Sequence, residues 1–146
     1  MIVVSPQYRT LSIILYVLSA IEGIAGLVLI VASGWVLSML PVAGLTTPGL
    51  LLFALKGIGV IALALGYLLC VAARDPARYV AVVDTFAFVL FAAALLQFYA
   101  VGALGIGTVY PTPYLISRSV VQLILAIVLV ALRPRHVPTA GTVAPA

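Results

Sequence analysis

Charge is what this sequence has least of. Asp, Glu, Lys and Arg together make up 7% of its 146 residues, and it holds one histidine and one cysteine. Each scarcity excludes something. Soluble domains are about 25% charged, so this chain cannot face water without exposing bare hydrocarbon. A lone thiol, Cys70, cannot close an internal disulfide, which removes the paired-cysteine chemistry of membrane thiol oxidoreductases. A lone histidine, His136, cannot supply both axial ligands of a bis-histidine haem. No paired carboxylates suit hydrolysis, no Ser/His/Asp set exists, and no glycine loop precedes a lysine in phosphate-binding fashion. No catalytic, metal or cofactor residue is assigned, and the expectation leans away from an enzyme.

What is abundant is apolar surface: 66% of residues are hydrophobic and the mean hydropathy is +1.38. Side chains can be apolar all round a helix only where hydrocarbon is the solvent. A spanning helix needs about 20 such residues. Four runs qualify, over residues 10–33, 49–72, 78–104 and 113–132. The first exceeds the apolar stretch of about 7–15 residues found in a signal peptide and is read as a retained helix. Residues 34–48, with Gly34, Pro41, Gly44 and Pro48, are read as a connection. So are residues 73–77, with Pro76, and 105–113, with Pro111 and Pro113. The predicted fold is all-α: one integral membrane four-helix bundle over residues 1–132. Residues 133–146, broken by Pro134 and Pro138, are expected to be a disordered cytoplasmic tail.

A net charge of +4 would point to nucleic acid in a soluble protein. Here the basic residues sit at helix ends and serve as topology markers, so nucleic acid is not an expected partner. Arg9, Arg74, Arg78, Arg133 and Arg135 all fall on one side of a four-span chain. The arginine-rich side is the cytoplasmic one, which places both termini inside and the protein in the inner, cytoplasmic membrane. Trp35, Tyr99, Tyr110 and Tyr114 mark the outer boundary, and Tyr8 and Tyr79 the inner one.

Each span carries a residue that hydrocarbon rejects: Glu22, Lys56, Asp84 and Arg118 in order, with Gln97 and Gln122 adding amides. A lone charge at mid-bilayer costs about 2.5–3.5 kcal/mol, so these groups must pair, reach the interface or face water. At about 1.5 Å per helical residue, Glu22 lies about 20 Å above Arg9, Gln122 about 16 Å and Arg118 about 22 Å above Arg133, and Lys56 about 27 Å above Arg74. Tyr114, Arg118 and Gln122 follow one helix face at i, i+4, i+8. The expected cluster is Glu22, Lys56, Arg118, Gln122 and Tyr114. It is either a binding site for a lipid, quinone or other small molecule or, as the favoured reading, an ion pair that fixes helix register. Asp84, about 9 Å above Arg78, is expected to pair with that arginine structurally. Ser19 with Gly23, and Ala62 with Gly66, are read as packing faces.

The segment at residues 66–79, Gly-Tyr-Leu-Leu-Cys-Val-Ala-Ala-Arg-Asp-Pro-Ala-Arg-Tyr, resembles the small four-helix bacterial membrane proteins of the DoxX and BphX-like group. The chain departs from that pattern after the first helix, where Val31-Ala32-Ser33-Gly34-Trp35 stands. The resemblance implies a four-span subunit, since some members accompany quinone-linked oxidoreductases, and it transfers no functional residue. The expected function is a non-catalytic membrane subunit or accessory protein, associated with other membrane subunits or with itself. The alternative is a small proton-coupled transporter using Glu22. The Ala20-Ile21-Glu22-Gly23 segment resembles the first helix of small multidrug resistance transporters, but Arg118 and Lys56 would repel a cationic drug.

Overall fold

The computed structural model describes residues 8–39, 48–104 and 112–134, and these residues are entirely helices and short turns. The long helices are α1 (Arg9–Val31), α3 (Pro48–Arg74), α4 (Val80–Ala103) and α5 (Thr112–Ala131). All four are long and apolar enough to cross a membrane. They begin and end close to the spans read from hydropathy. The connection expected from residue 34 differs: a short helix, α2, covers Ser33–Met39. The chain bends at Ala32, whose carbonyl still accepts the Val36 N–H at 2.9 Å, so about two helical turns follow the break. The tail expected to be disordered lies, from residue 135, outside the described residues, as does Tyr110.

Exposure is inverted relative to a protein solvated by water. Val31 is 82% exposed, Phe53 76% and Phe88 69%, while the buried core is built largely from leucines, alanines and glycines. With lipid outside, no hydrophobic force drives the helices together, so close packing and interhelical hydrogen bonds must do so. This is a multi-pass membrane protein.

The bundle consists of two antiparallel helix pairs. In the first, α1 runs along α3 on three rungs, each seven residues from the next. Ser12 Oγ donates to the Ala73 carbonyl and Ser19 Oγ to the Gly66 carbonyl, the latter at 2.7 Å. On the third rung the backbones touch: a Cβ on Gly26 would stand 2.7 Å from the Gly59 carbonyl oxygen, and one on Gly59 would stand 2.8 Å from that of Gly26. A seven-residue repeat keeps one seam facing its partner along the whole pair. The seam is small because each rung needs a backbone carbonyl within reach of the opposite helix. Ser19→Ala should therefore destabilise the chain by about 0.6 kcal/mol, the average for an interhelical hydrogen bond in a membrane. Detergent-to-SDS unfolding followed by circular dichroism would measure it.

The second pair joins α4 to α5. Contacts of Gln97 with Ser119 and of Asp84 with Arg133 fix its register. The two pairs share one core at the arginine-rich end, where Leu11, Leu15 and Leu18 of α1 meet Leu69, Phe86 and Leu129. The α3–α4 turn is closed there by Asp75, whose carbonyl accepts the N–H groups of Arg78 and Tyr79, both at 3.2 Å. Its side chain takes the Arg78 N–H as well, at 3.1 Å. Toward the opposite end that shared core thins, and α1 and α5 make no extended contact.

Candidate functional site

Polar side chains gather in the half of the bundle away from the arginine-rich end. Glu22 lies thirteen residues into α1, about 20 Å from Arg9, and is half-buried. Arg118 of α5 is the charge whose field reaches its carboxylate. The two make no contact within 4 Å; among the described residues the ion pair is Asp84 with Arg133. Glu22 and Arg118 are neighbours across the gap between the two helix pairs without being a salt bridge.

Gln122 stands one turn beyond Arg118. The α4–α5 register sets it opposite Ala94, which is fully buried. Its Oε1 is buried and receives no hydrogen bond. An amide oxygen left without a donor costs about 1–3 kcal/mol, so this atom is the clearest unmet demand in the site. One turn away on the same seam, Ser119 Oγ is 2.9 Å from the Leu115 carbonyl and 3.0 Å from Gln97 Oε1. A hydroxyl has one proton to donate. Both contacts are satisfied together when Ser119 donates to Leu115 and the Gln97 amide turns its NH₂ toward Ser119. Gln97, Ser119 and Gln122 therefore make the α4–α5 seam polar at this end, while Leu90, Ala126 and Leu129 make it apolar at the other.

The remaining expected members stand apart. Lys56 is exposed. The α1–α3 rungs place it opposite Leu29, seven residues or about 10 Å beyond the Glu22 level. It takes no carboxylate partner among the described residues. Tyr114 is 57% exposed at the rim, two turns before Gln122. Glu22 and Arg118 thus face across the two helix pairs, Arg118 being exposed, while Gln122 follows one turn along α5 on the seam that Ser119 and Gln97 also line. Ser119 is absent from the sequence reading because a serine inside a span signals nothing by itself.

Asp84 pairs with Arg133, at 2.9 Å, and not with Arg78. The reason is direction. Arg78 precedes α4, and its guanidinium lies over the Tyr79 ring, 5.6 Å from the centroid. Asp84 lies on the face of α4 that meets α5, where the chain leaving α5 delivers Arg133. Among the described residues no three His, Cys, Asp or Glu side chains converge. No family model matches the chain, and neither a curated protein nor a solved structure does.

Proposed function

We propose that this protein is a non-catalytic membrane component that holds the polar head of a small amphiphile, a quinone or lipid, at Glu22, Arg118 and Gln122. It works as an accessory subunit beside larger membrane partners, with both termini on the cytoplasmic side of the inner membrane. The likeness of residues 66–79 to the DoxX and BphX-like group points the same way, toward small four-span proteins, some of which accompany quinone-linked enzymes. The observation that carries the reading is the unpartnered Gln122 oxygen, one turn along α5 from an Arg118 that does not close on Glu22. An ion pair serving register alone would be closed and would leave no acceptor bare. A carbonyl-bearing or hydroxyl-bearing head would meet a donor at Arg118 and acceptors at Glu22 and Gln122. An apolar tail would lie between α1 and α5, which make no extended contact.

The rival, a proton-coupled transporter of cations, sets Arg118 against its own substrate. Cation uptake driven by a proton gradient, and abolished by Glu22→Gln, would replace the present reading with that one.

Trp35, the sole tryptophan, follows α1 at the same end as the cluster and reports occupancy. A short-chain benzoquinone should quench its fluorescence saturably in detergent. Glu22→Gln should weaken that binding about tenfold or more, the worth of one charge-assisted hydrogen bond, while thermal unfolding stays near the parent's. Unchanged quenching with lost folding would leave the cluster a purely structural role.

A further inference from the structure

Away from the polar cluster, the outer face of the α4–α5 pair carries a groove of about 570 Å³, within the usual range of about 300–1,000 Å³ for small-molecule sites. Its floor is small, Ala87 and Ala126, and its walls are tall, Phe88 and Phe91 on one side and Ile127 and Val130 on the other. The floor alanines are 3% and 5% exposed, whereas Phe88 and Ile127 are 69% and 67% exposed and stand proud of the helices. The groove runs from Asp84 to Phe91, about 10 Å along α4. It ends at the Asp84–Arg133 pair.

We propose that this groove seats an acyl chain of an anionic phospholipid, with the phosphate on Arg133. The groove faces hydrocarbon, so a chain of the bilayer is what lies against it. The headgroup follows from charge. The end of the bundle where the groove opens carries Arg9, Arg74, Arg78 and Arg133 against Asp75 and Asp84, four positive charges to two negative among the described residues. Arg133 keeps 48% of its side chain exposed while holding Asp84, and a guanidinium has five N–H donors, more than one carboxylate engages. Asp84 is then the phosphate's competitor within the protein. The site is separate from the Glu22 cluster and stands whether or not that cluster binds anything.

The competition gives the test its signs. Native mass spectrometry would follow the full chain released from micelles doped with phosphatidylglycerol or with phosphatidylcholine of the same acyl chains. The anionic lipid should be retained about fivefold better, one arginine's worth of attraction. Arg133→Gln should erase that preference, and Asp84→Asn, by freeing Arg133, should raise it further. Ala131→Phe, at the exposed rim of the groove, should lower retention of both lipids. Circular dichroism of each variant guards against loss of fold. Equal retention of the two lipids would overturn the proposal. So would a preference that survives Arg133→Gln, a fall in retention in a folded Asp84→Asn chain, or no response to a folded Ala131→Phe.

Discussion

Gly26→Ala should destabilise the protein by about 1–3 kcal/mol, the range for overpacking a filled interior, while Gly23→Ala, one turn earlier on the same helix, should cost nothing. The contrast follows from what a single methyl group would meet. At Gly26 it would stand 2.7 Å from the Gly59 carbonyl oxygen and 2.8 Å from the Leu63 backbone nitrogen, whereas at Gly23 nothing lies within 4 Å. Backbone atoms cannot turn aside as a side chain can, so α1 and α3 must separate. Separation also lengthens the neighbouring Ser19–Gly66 bond, 2.7 Å in the native pair. Helix propensity pulls the other way, since alanine is favoured over glycine by about 1 kcal/mol within a helix. That term is common to both sites, so it sets Gly23→Ala at neutral or slightly stabilising and leaves the clash to decide Gly26→Ala. Gly59→Ala should behave like Gly26→Ala, because its methyl would meet the Gly26 carbonyl at 2.8 Å. SDS titration of the three variants in mild detergent would measure the differences. Equal stabilities at Gly23 and Gly26 would mean that the glycine rung does not hold the helices together.

How far the sequence reaches into this architecture depends on which physical quantity each feature obeys. The four spans are legible because hydrocarbon thickness sets a minimum run length, and runs such as residues 49–72 meet it between Pro48 and the Arg74-Asp75-Pro76 turn. The packing seam is written there too, in Ser12, Ser19 and Gly26 on α1, continued by Ser33 at the start of α2, and in Gly59, Gly66 and Ala73 on α3, each seven residues after the last. Hydropathy does not display it, because every face of these helices is apolar and no amphipathic contrast marks the inside. Small size alone does not mark it either: Gly23 and Gly57 are as small as Gly26 and Gly59, but a methyl group added at either would meet nothing. Depth counting from the terminal arginines placed Glu22 near Arg118 and Gln122, since rise per residue fixes height. It could not tell that Lys56 sits a further turn or two outward on an exposed face, because direction around the axis depends on the α1–α3 register. Asp84 shows the same limit. Its height called for an arginine at the helix ends, and only the α4–α5 contact selects Arg133 over Arg78.

Ile61→Arg should be the most damaging exposed substitution in the chain. Ile61 is 62% exposed and lies at the middle of α3, thirteen residues from either end of Pro48–Arg74. On a protein surrounded by water, such a change away from any special feature stays within about 0.5 kcal/mol of neutral. In hydrocarbon the same arginine costs about 2.5–3.5 kcal/mol at a helix centre, roughly a hundredfold in the equilibrium between inserted and non-inserted chains. Length decides whether it can escape. Lys56 is only eight residues from the start of α3, about 12 Å, within the distance a long lysine side chain can snorkel to the nearer interface. Arg118 is closer still, six residues into α5. From Ile61 both interfaces are about 20 Å away along the helix, beyond the reach of a guanidinium. Nor is a carboxylate at hand, since Glu22 on the facing helix stands level with Leu63 by the α1–α3 rungs and within the field of Arg118. Protease protection of the third span in membrane vesicles, with Ile61→Leu as the control, would read the difference. An Ile61→Arg chain that inserts and unfolds like its parent would show that water, not lipid, lies against α3, and the case for a membrane site at Glu22 would fall with it.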